Sequence, residues 1–242
     1  MNKYGIVGFP LSHSFSQKYF SQKFLDEGVT NAVFENYEIA DISGISTLIQ
    51  DSELKGFCIT IPHKKNIIPF LTDSTDAVKK MGACNCVNLR GGKLFGHNTD
   101  VIGFEKSFAP HLKSHHTKAL ILGTGGAAAA VQFVLEKLHI DYRFVSRNKT
   151  EGNLSYNELT KDILDAYTII INCTPLGTYP KVDEMPEIPY QFISPAHYLF
   201  DLVYNPPLTK FLALGKEKGA IIQNGYEMLV IQAEENWRIW NK

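Results

Sequence analysis

The sequence has no apolar run near the ~20 residues that a membrane-spanning helix needs, so no bilayer-crossing segment is expected. Its start, Met1-Asn2-Lys3-Tyr4-Gly5-Ile6-Val7-Gly8, goes straight into a strand-like segment without the apolar stretch of a secretory signal. Neither sign of charge is in excess. A formal net charge of −1 offers no footing for a nucleic-acid or polyanion surface. The four cysteines, Cys58, Cys84, Cys86 and Cys173, lack the C-x-x-C spacing of a zinc or redox site. Three of them fall in apolar, strand-like surroundings, as expected of free, buried thiols in a reducing compartment. His115-His116, beside Lys113 and Ser114, reads as a solvated loop rather than a metal site. There is no internal repeat and no low-complexity tract. These absences point to a cytoplasmic protein without metal, membrane or nucleic-acid partner. Monomer and homodimer are both left open.

What is present is ordinary globular material, with enough apolar and aromatic residues among 242 for two modest cores. The most informative stretch is Gly123-Thr124-Gly125-Gly126-Ala127. Thr117 to Leu122 ahead of it reads as a buried strand, and Ala127 to Leu138 behind it as an alanine-rich helix. Strand, glycine turn and helix together place backbone N–H groups and a helix N-terminus against a phosphate. A sharp turn without a ligand needs the same glycines, so the flanking elements must decide.

They decide for a dinucleotide. Asp141 to Val145 is the next strand, ending in Ser146-Arg147-Asn148. An NAD-binding unit has a carboxylate at such a strand end to hold the ribose 2′-hydroxyl. This chain has none there, and Arg147 offers a charged, bidentate partner for a 2′-phosphate, so the expected cofactor is NADP.

Upstream, Tyr4 to Gly8 is a strand stopped at Pro10, and Leu11-Ser12-His13-Ser14-Phe15-Ser16 leads into a helix carrying Tyr19, Phe20 and Phe24. Ser12 or Ser14 is suited to capping that helix, and hydroxyl donors at such a crevice also suit a small carboxylate. Val33 to Ile39 reads as a strand, Ser43 to Gln50 as a helix, and Gly56 to Ile61 as a strand ended by Pro62. Thr60 and Lys64 then lie just beyond a strand's carboxyl end, where open α/β sheets bind ligands, while Lys65 points to solvent. Asp73 to Lys80 reads as a helix and Met81 to Leu89 as a strand. Arg90-Gly91-Gly92 makes a hairpin turn, Lys93 to Gly96 a return strand and Val101 to Phe108 a helix. Asn98 or Thr99 is placed to cap that last helix, with Asp100 suiting its dipole. In the second half, Ser155 and Glu158 form a capping-box pattern, and Tyr167 to Ile171 is a strand buried on both faces. Lys181 to Pro195 reads as a surface excursion, His197 to Tyr204 and Gly219 to Gln223 as strands, and the residues after Gly225 as a final helix. Its apolar face is read as Leu229, Ala233 and Trp237, with Val230 and Trp240 near it.

These motifs resemble the shikimate dehydrogenase family nearly from end to end. Gly8 to Ser16 is similar to its G-x-P-x-x-H-S-x-S element, which implies Ser14 and Ser16 as ligands of the substrate carboxylate. Thr60-Ile61-Pro62-His63-Lys64 is similar to its T-x-P-x-K segment, which implies Thr60 at the substrate and Lys64 as the catalytic lysine. Gly82-Ala83-Cys84-Asn85 and Asn98-Thr99-Asp100 fit its G-A-x-N and N-T-D elements, implying Asn85 at substrate hydroxyls and Asp100 as the lysine's partner. Asn172 to Gly177 is similar to its N-A-T-x-x-G loop, implying Thr174 along the cofactor, and Gly225 is counted with that site. Ser146 and Asn148 replace neighbours in its N-R-T element and keep donors beside Arg147. The D-x-x-Y-x-P-x-x-T pattern implies Tyr204 near substrate and nicotinamide, and Gln232 is implied to reach the substrate from the last helix. One departure stands out: the family usually has asparagine where this chain has Cys58. The resemblance implies a reversible reduction of 3-dehydroshikimate with NADPH. The alternatives are a quinate/shikimate dehydrogenase using NAD, against which Arg147 argues, and a non-catalytic NADP-binding regulator of the same fold, which could dispense with Lys64 and Asp100. The fold expected is two α/β domains with the active site in the cleft between them. Residues 1–100 would be the substrate domain and 101–223 a Rossmann-like NADP-binding domain. Residues 224–242 would be a helix packing back toward the first.

Overall fold

A computed structural model describes residues 1–11, 15–148 and 151–242. Two compact units make up the chain: Met1–Thr99 with Gln232–Lys242, and Asp100–Ile231.

In the first unit the chain runs β1 (Asn2–Gly8), α1 (Phe15–Asp26), β2 (Ala32–Glu38), α2 (Ile45–Leu48), β3 (Leu54–Ile59), β4 (Asp73–Ser74), α3 (Asp76–Met81), β5 (Cys86–Arg90) and β6 (Lys93–His97). They form one six-stranded sheet in the order β2-β1-β3-β5-β6-β4. β1 pairs in parallel with β2 and β3, while β5 runs antiparallel to both β3 and β6. The β5–β6 hairpin turns at Gly91 and Gly92, whose φ angles of 55° and 73° are the positive values that a tight two-residue turn requires. The helix expected from Asp73 begins only at Asp76, because Asp73–Ser74 pairs with β6 as a short strand. The strand expected from Met81 begins only at Cys86: Gly82, at φ 61°, closes α3 in the left-handed conformation first.

α8 (Tyr226–Trp240) is the last helix, and its residues from Gln232 onward belong to this first unit. Trp240 lies on β3, where a Cβ at Gly56 would come within 2.2 Å of its indole ring. The indole N–H donates to the Val87 carbonyl at 3.0 Å, and the ring stacks on Tyr4 with centroids 5.2 Å apart. The buried stripe is Gln232, Ala233, Glu235, Asn236, Ile239 and Trp240. It is rotated from the apolar face read in the sequence, since Leu229 and Trp237 are only half-buried. The rotation buries Asn236 completely.

The second unit continues with α4 (Asp100–Phe108), β7 (Lys118–Leu122), α5 (Gly126–Lys137), β8 (Asp141–Ser146), β9 (Leu154–Ser155), α6 (Lys161–Ala166), β10 (Ile169–Asn172), β11 (Tyr198–Asp201), α7 (Lys210–Glu217) and β12 (Ile221–Asn224). Its sheet is wholly parallel, in the order β12-β11-β10-β7-β8-β9. Strand order reverses direction between β7 and β10, the place where such sheets open a crevice for ligands. Every residue of β10 and β11 is buried, as strands covered on both faces must be.

Three expectations need correction here. The strand expected over His197 to Tyr204 is only Tyr198–Asp201, because the Asp201 carboxylate turns the chain by accepting the Val203 N–H. Lys181 to Pro195 is no mere surface excursion, since Ile188 and Ile193 are buried in the unit's core. His116 is not solvated: its Nε2 donates to the Ala196 carbonyl at 3.1 Å while Nδ1 accepts the Lys113 N–H. Among the described residues no helix is long and apolar enough to cross a membrane.

Candidate active site

Register gathers the substrate-side residues. Val7 pairs with Ile59, so β1 and β3 end together, and Cys58 pairs with Cys86, so antiparallel β5 begins at the same edge. His97 pairs with Cys86 in turn, bringing the end of β6 there as well. Thr60, Asn85 and Thr99 therefore come off three strands at one edge of one sheet. The Ile59 N–H donates to the Asn85 carbonyl at 2.8 Å, and the Asn85 N–H to the His97 carbonyl at 3.1 Å, closing the ladder across all three. Asp100 follows Thr99 directly and is the first residue of α4, where a carboxylate complements the helix dipole. Ser16 is buried in the first turn of α1. Ser14 lies outside the described residues.

The loop bearing Lys64 is fixed at several points. Its own carbonyl accepts the Cys84 N–H at 2.8 Å, and the buried Ile67 anchors the far side. Buried His63 links the loop to the end of β2, with Nε2 and the Ile39 carbonyl 2.5 Å apart. Lys64 is half-buried and its neighbour Lys65 exposed, the contrast expected if only the first faces the site.

A buried polar cluster that the sequence reading did not assemble lies behind this edge. The Thr99 hydroxyl donates to Asn236 Oδ1 at 2.7 Å, and the Thr99 N–H donates to Asn85 Oδ1 at 2.7 Å. Asn236 Nδ2 reaches both Gln232 Oε1 and Cys58 Sγ, each at 3.2 Å. Thr99 thus turns its hydroxyl inward instead of capping α4, and Asn98 donates to the Ala83 carbonyl at 2.9 Å. Only the polar residue Asn236, a misfit on an apolar helix face, could have flagged the cluster in advance.

In the second unit the cofactor candidates also share an edge. Leu122 aligns with Asn172 and Val145, and Asn172 with Asp201, which in turn aligns with Asn224. Gly123, Ser146, Thr174, Tyr204 and Gly225 consequently all lie at or beyond the carboxyl ends of parallel strands. Gly123 has φ 97°, and a Cβ on it would stand 2.9 Å from the Thr174 methyl, so glycine is required for the two loops to meet. Gly125 is the N-cap of α5 and Gly126 its first residue, and a Cβ on either would meet open space. A glycine cap leaves the first-turn N–H groups to a ligand, and Thr124 and Ala127 complete the turn. That open floor fits a pyrophosphate. Arg147 and Asn148 are exposed just past β8, where Ser146 donates to the Asn148 carbonyl at 2.6 Å. Tyr204 is half-buried, and burial raises its phenol pKa. Gly225 packs tightly, since a Cβ there would come within 2.2 Å of the Leu202 carbonyl oxygen.

Beneath this edge lies Asp201, fully buried. It accepts from Asn172 Nδ2 at 2.9 Å, from the Val203 N–H at 3.0 Å and from the Thr209 hydroxyl at 2.6 Å. Asn172 in turn accepts from the Thr174 hydroxyl at 2.6 Å, so Asp201 sets the loop that faces Gly123. Burial outweighs the three donors and raises its pKa to about 6. Among the described residues no group of three or more His, Cys, Asp or Glu is arranged to hold a metal ion.

Known proteins show the same construction. The family described as "Shikimate dehydrogenase substrate binding domain" matches residues 6–87. A "Shikimate dehydrogenase (NADP(+))" of Desulforamulus reducens is 34% identical over 98% of this chain and 88% of its own length. The crystal structure of a shikimate dehydrogenase from Aquifex aeolicus superposes with a TM-score of 0.86 at 31% identity, covering 100% of this chain and 92% of that one. A shikimate dehydrogenase crystallised in complex with NADP+ superposes at 0.85 with 29% identity, covering 99% and 90%. With one fold throughout and close relatives along nearly its whole length, this chain belongs to the shikimate dehydrogenase family.

Proposed function

We propose that this chain is an oxidoreductase that reversibly reduces 3-dehydroshikimate to shikimate with NADPH. The observation that carries the reading is the meeting of Thr60, Asn85 and Thr99, with the pinned Lys64 loop, at one edge of the first sheet. Residues 1–100 carry the substrate chemistry, 101–223 hold the cofactor, and 224–242 return Gln232 toward the substrate. The Gly123–Ala127 turn and Thr174 would hold NADPH, which would supply the hydride for C3 of the substrate. Negative charge then grows on the C3 oxygen, where a protonated Lys64 stabilises it and Lys64 or Asp100 delivers the proton. Ser14 and Ser16 hold the carboxylate, while Thr60, Asn85, Tyr204 and Gln232 orient the ring and its hydroxyls.

Arg147 confers the preference for NADP over NAD through the 2′-phosphate. Arg147→Leu is expected to raise KM for NADPH by about tenfold or more, the loss of a charge-assisted pair, with KM for NADH little changed. Initial rates with both nucleotides check this, and equal effects on the two would remove Arg147 from the assignment. The function itself is tested by following NADP+ reduction on adding shikimate.

A further inference from the structure

Resting on that functional reading, we propose that Asn236 is a positioning residue that sets the hydrogen-bonding direction of the two substrate-facing amides, Gln232 and Asn85. Its side chain is fully buried, and its three polar contacts come from three separate segments of the first unit. A carboxamide has one carbonyl and two N–H bonds, and here each of the three has a partner. The carbonyl accepts from Thr99, one N–H reaches Gln232 and the other reaches Cys58.

The consequences pass outward in both directions. Asn236 Nδ2 donates to Gln232 Oε1, which fixes the carbonyl of that amide toward Asn236 and its Nε2 on the opposite side, so the end that Gln232 presents to the substrate is set by Asn236. The Thr99 hydroxyl has a single proton, and the 2.7 Å contact gives it to Asn236. Toward Asn85 that hydroxyl must therefore accept, which agrees with Asn85 Nδ2 standing 3.0 Å from Thr99 Oγ1. Asn85 Oδ1 takes the Thr99 N–H at the same time, so its amide cannot flip without losing both bonds. One buried carboxamide thus fixes the orientation of two others.

Cys58 is the weak member of the arrangement. A thiol accepts only weakly, so β3 itself offers no strong partner at this point and the amide comes from α8 instead. Asn236→Ala would open a void beside Sγ, and Cys58→Asn would place a new carboxamide in that space. Loss of the first amide and its return from the other side should therefore compensate.

The test measures kcat and KM for shikimate and for NADP+ in Asn236→Ala and in the double variant Cys58→Asn/Asn236→Ala, with far-UV circular dichroism checking the fold. Asn236→Ala is expected to raise KM for shikimate about tenfold, as the loss of buried hydrogen bonds predicts, with KM for NADP+ unchanged. The double variant is expected to recover most of that loss. An unchanged KM for shikimate in the folded single variant overturns the proposal, as does a double variant no better than the single one. If alanine does not fold, Asn236→Ser replaces it with the same expectations. A parent that turns over no shikimate overturns the functional reading instead. The 15N–1H side-chain signals of Gln232 and Asn85 then decide for Asn236: shifted in the variant if it positions them, unmoved if it does not.

Discussion

Lys64→Ala is expected to lower kcat by ~10²–10⁴ while NADPH still binds, because general acid–base and charge-stabilising groups contribute on that scale. Three anchors of the loop lie apart from the ammonium. The backbone carbonyl of Lys64, the His63 imidazole and the buried Ile67 hold the segment, and all remain in the variant. The loss should therefore appear in the chemical step rather than in folding or cofactor affinity. Lys65→Ala is the internal control: its side chain is exposed one residue away, and its removal should leave turnover unaltered. Steady-state kinetics with fluorescence titration of NADPH separates the terms. Near-normal turnover in Lys64→Ala would remove the lysine from the mechanism.

The second large effect concerns stability. Asp201 is fully buried, and its pKa is raised from 3.8 to about 6, chiefly by desolvation. A carboxyl whose pKa is higher in the folded chain favours folding most when protonated. Its contribution is fully present below pH 3.8 and is lost as the pH rises through about 6. The loss between those limits is about 3 kcal/mol. Asp201→Asn stays neutral and keeps an acceptor for Asn172 and Val203, while its amide can donate to the Thr209 hydroxyl. Urea unfolding of parent and variant from pH 4 to 7 should show their stability difference moving by that amount, in favour of the variant at higher pH. A difference that does not change with pH would mean that the folded state holds the carboxylate without penalty. The exposed Asp41, Asp73 and Asp183 have lowered pKa values and act in the opposite direction, so only the comparison with the variant isolates Asp201.

Much of this architecture is legible in the sequence because it rests on local rules. The glycines at 91 and 92 and the β7–turn–α5 unit follow from backbone sterics, and the apolar run through β10 from burial on both faces. What escaped depended on pairing between distant segments. Asp73–Ser74 joins a sheet only because β6 is there to receive it, and no propensity of two residues reveals that. Ala233 and Trp240 are buried and Trp237 packs on the same core. The burial of Asn236 beside them is not legible from hydrophobicity, because it depends on Thr99, Cys58 and Gln232 satisfying its amide inside. His116 was read as solvated for the same reason, its partners being the Lys113 N–H and an Ala196 carbonyl far along the chain. For the site, the motif residues were nameable from their order, but their convergence needed the register of β3, β5 and β6.

The most direct measurement of the central claim follows NADPH absorbance after mixing the purified protein with 3-dehydroshikimate. The account predicts NADPH oxidation that depends on the substrate, is reversed by shikimate with NADP+, and falls by ~10²–10⁴ in Lys64→Ala. A folded protein that binds NADPH yet leaves its absorbance unchanged in the presence of 3-dehydroshikimate would contradict it.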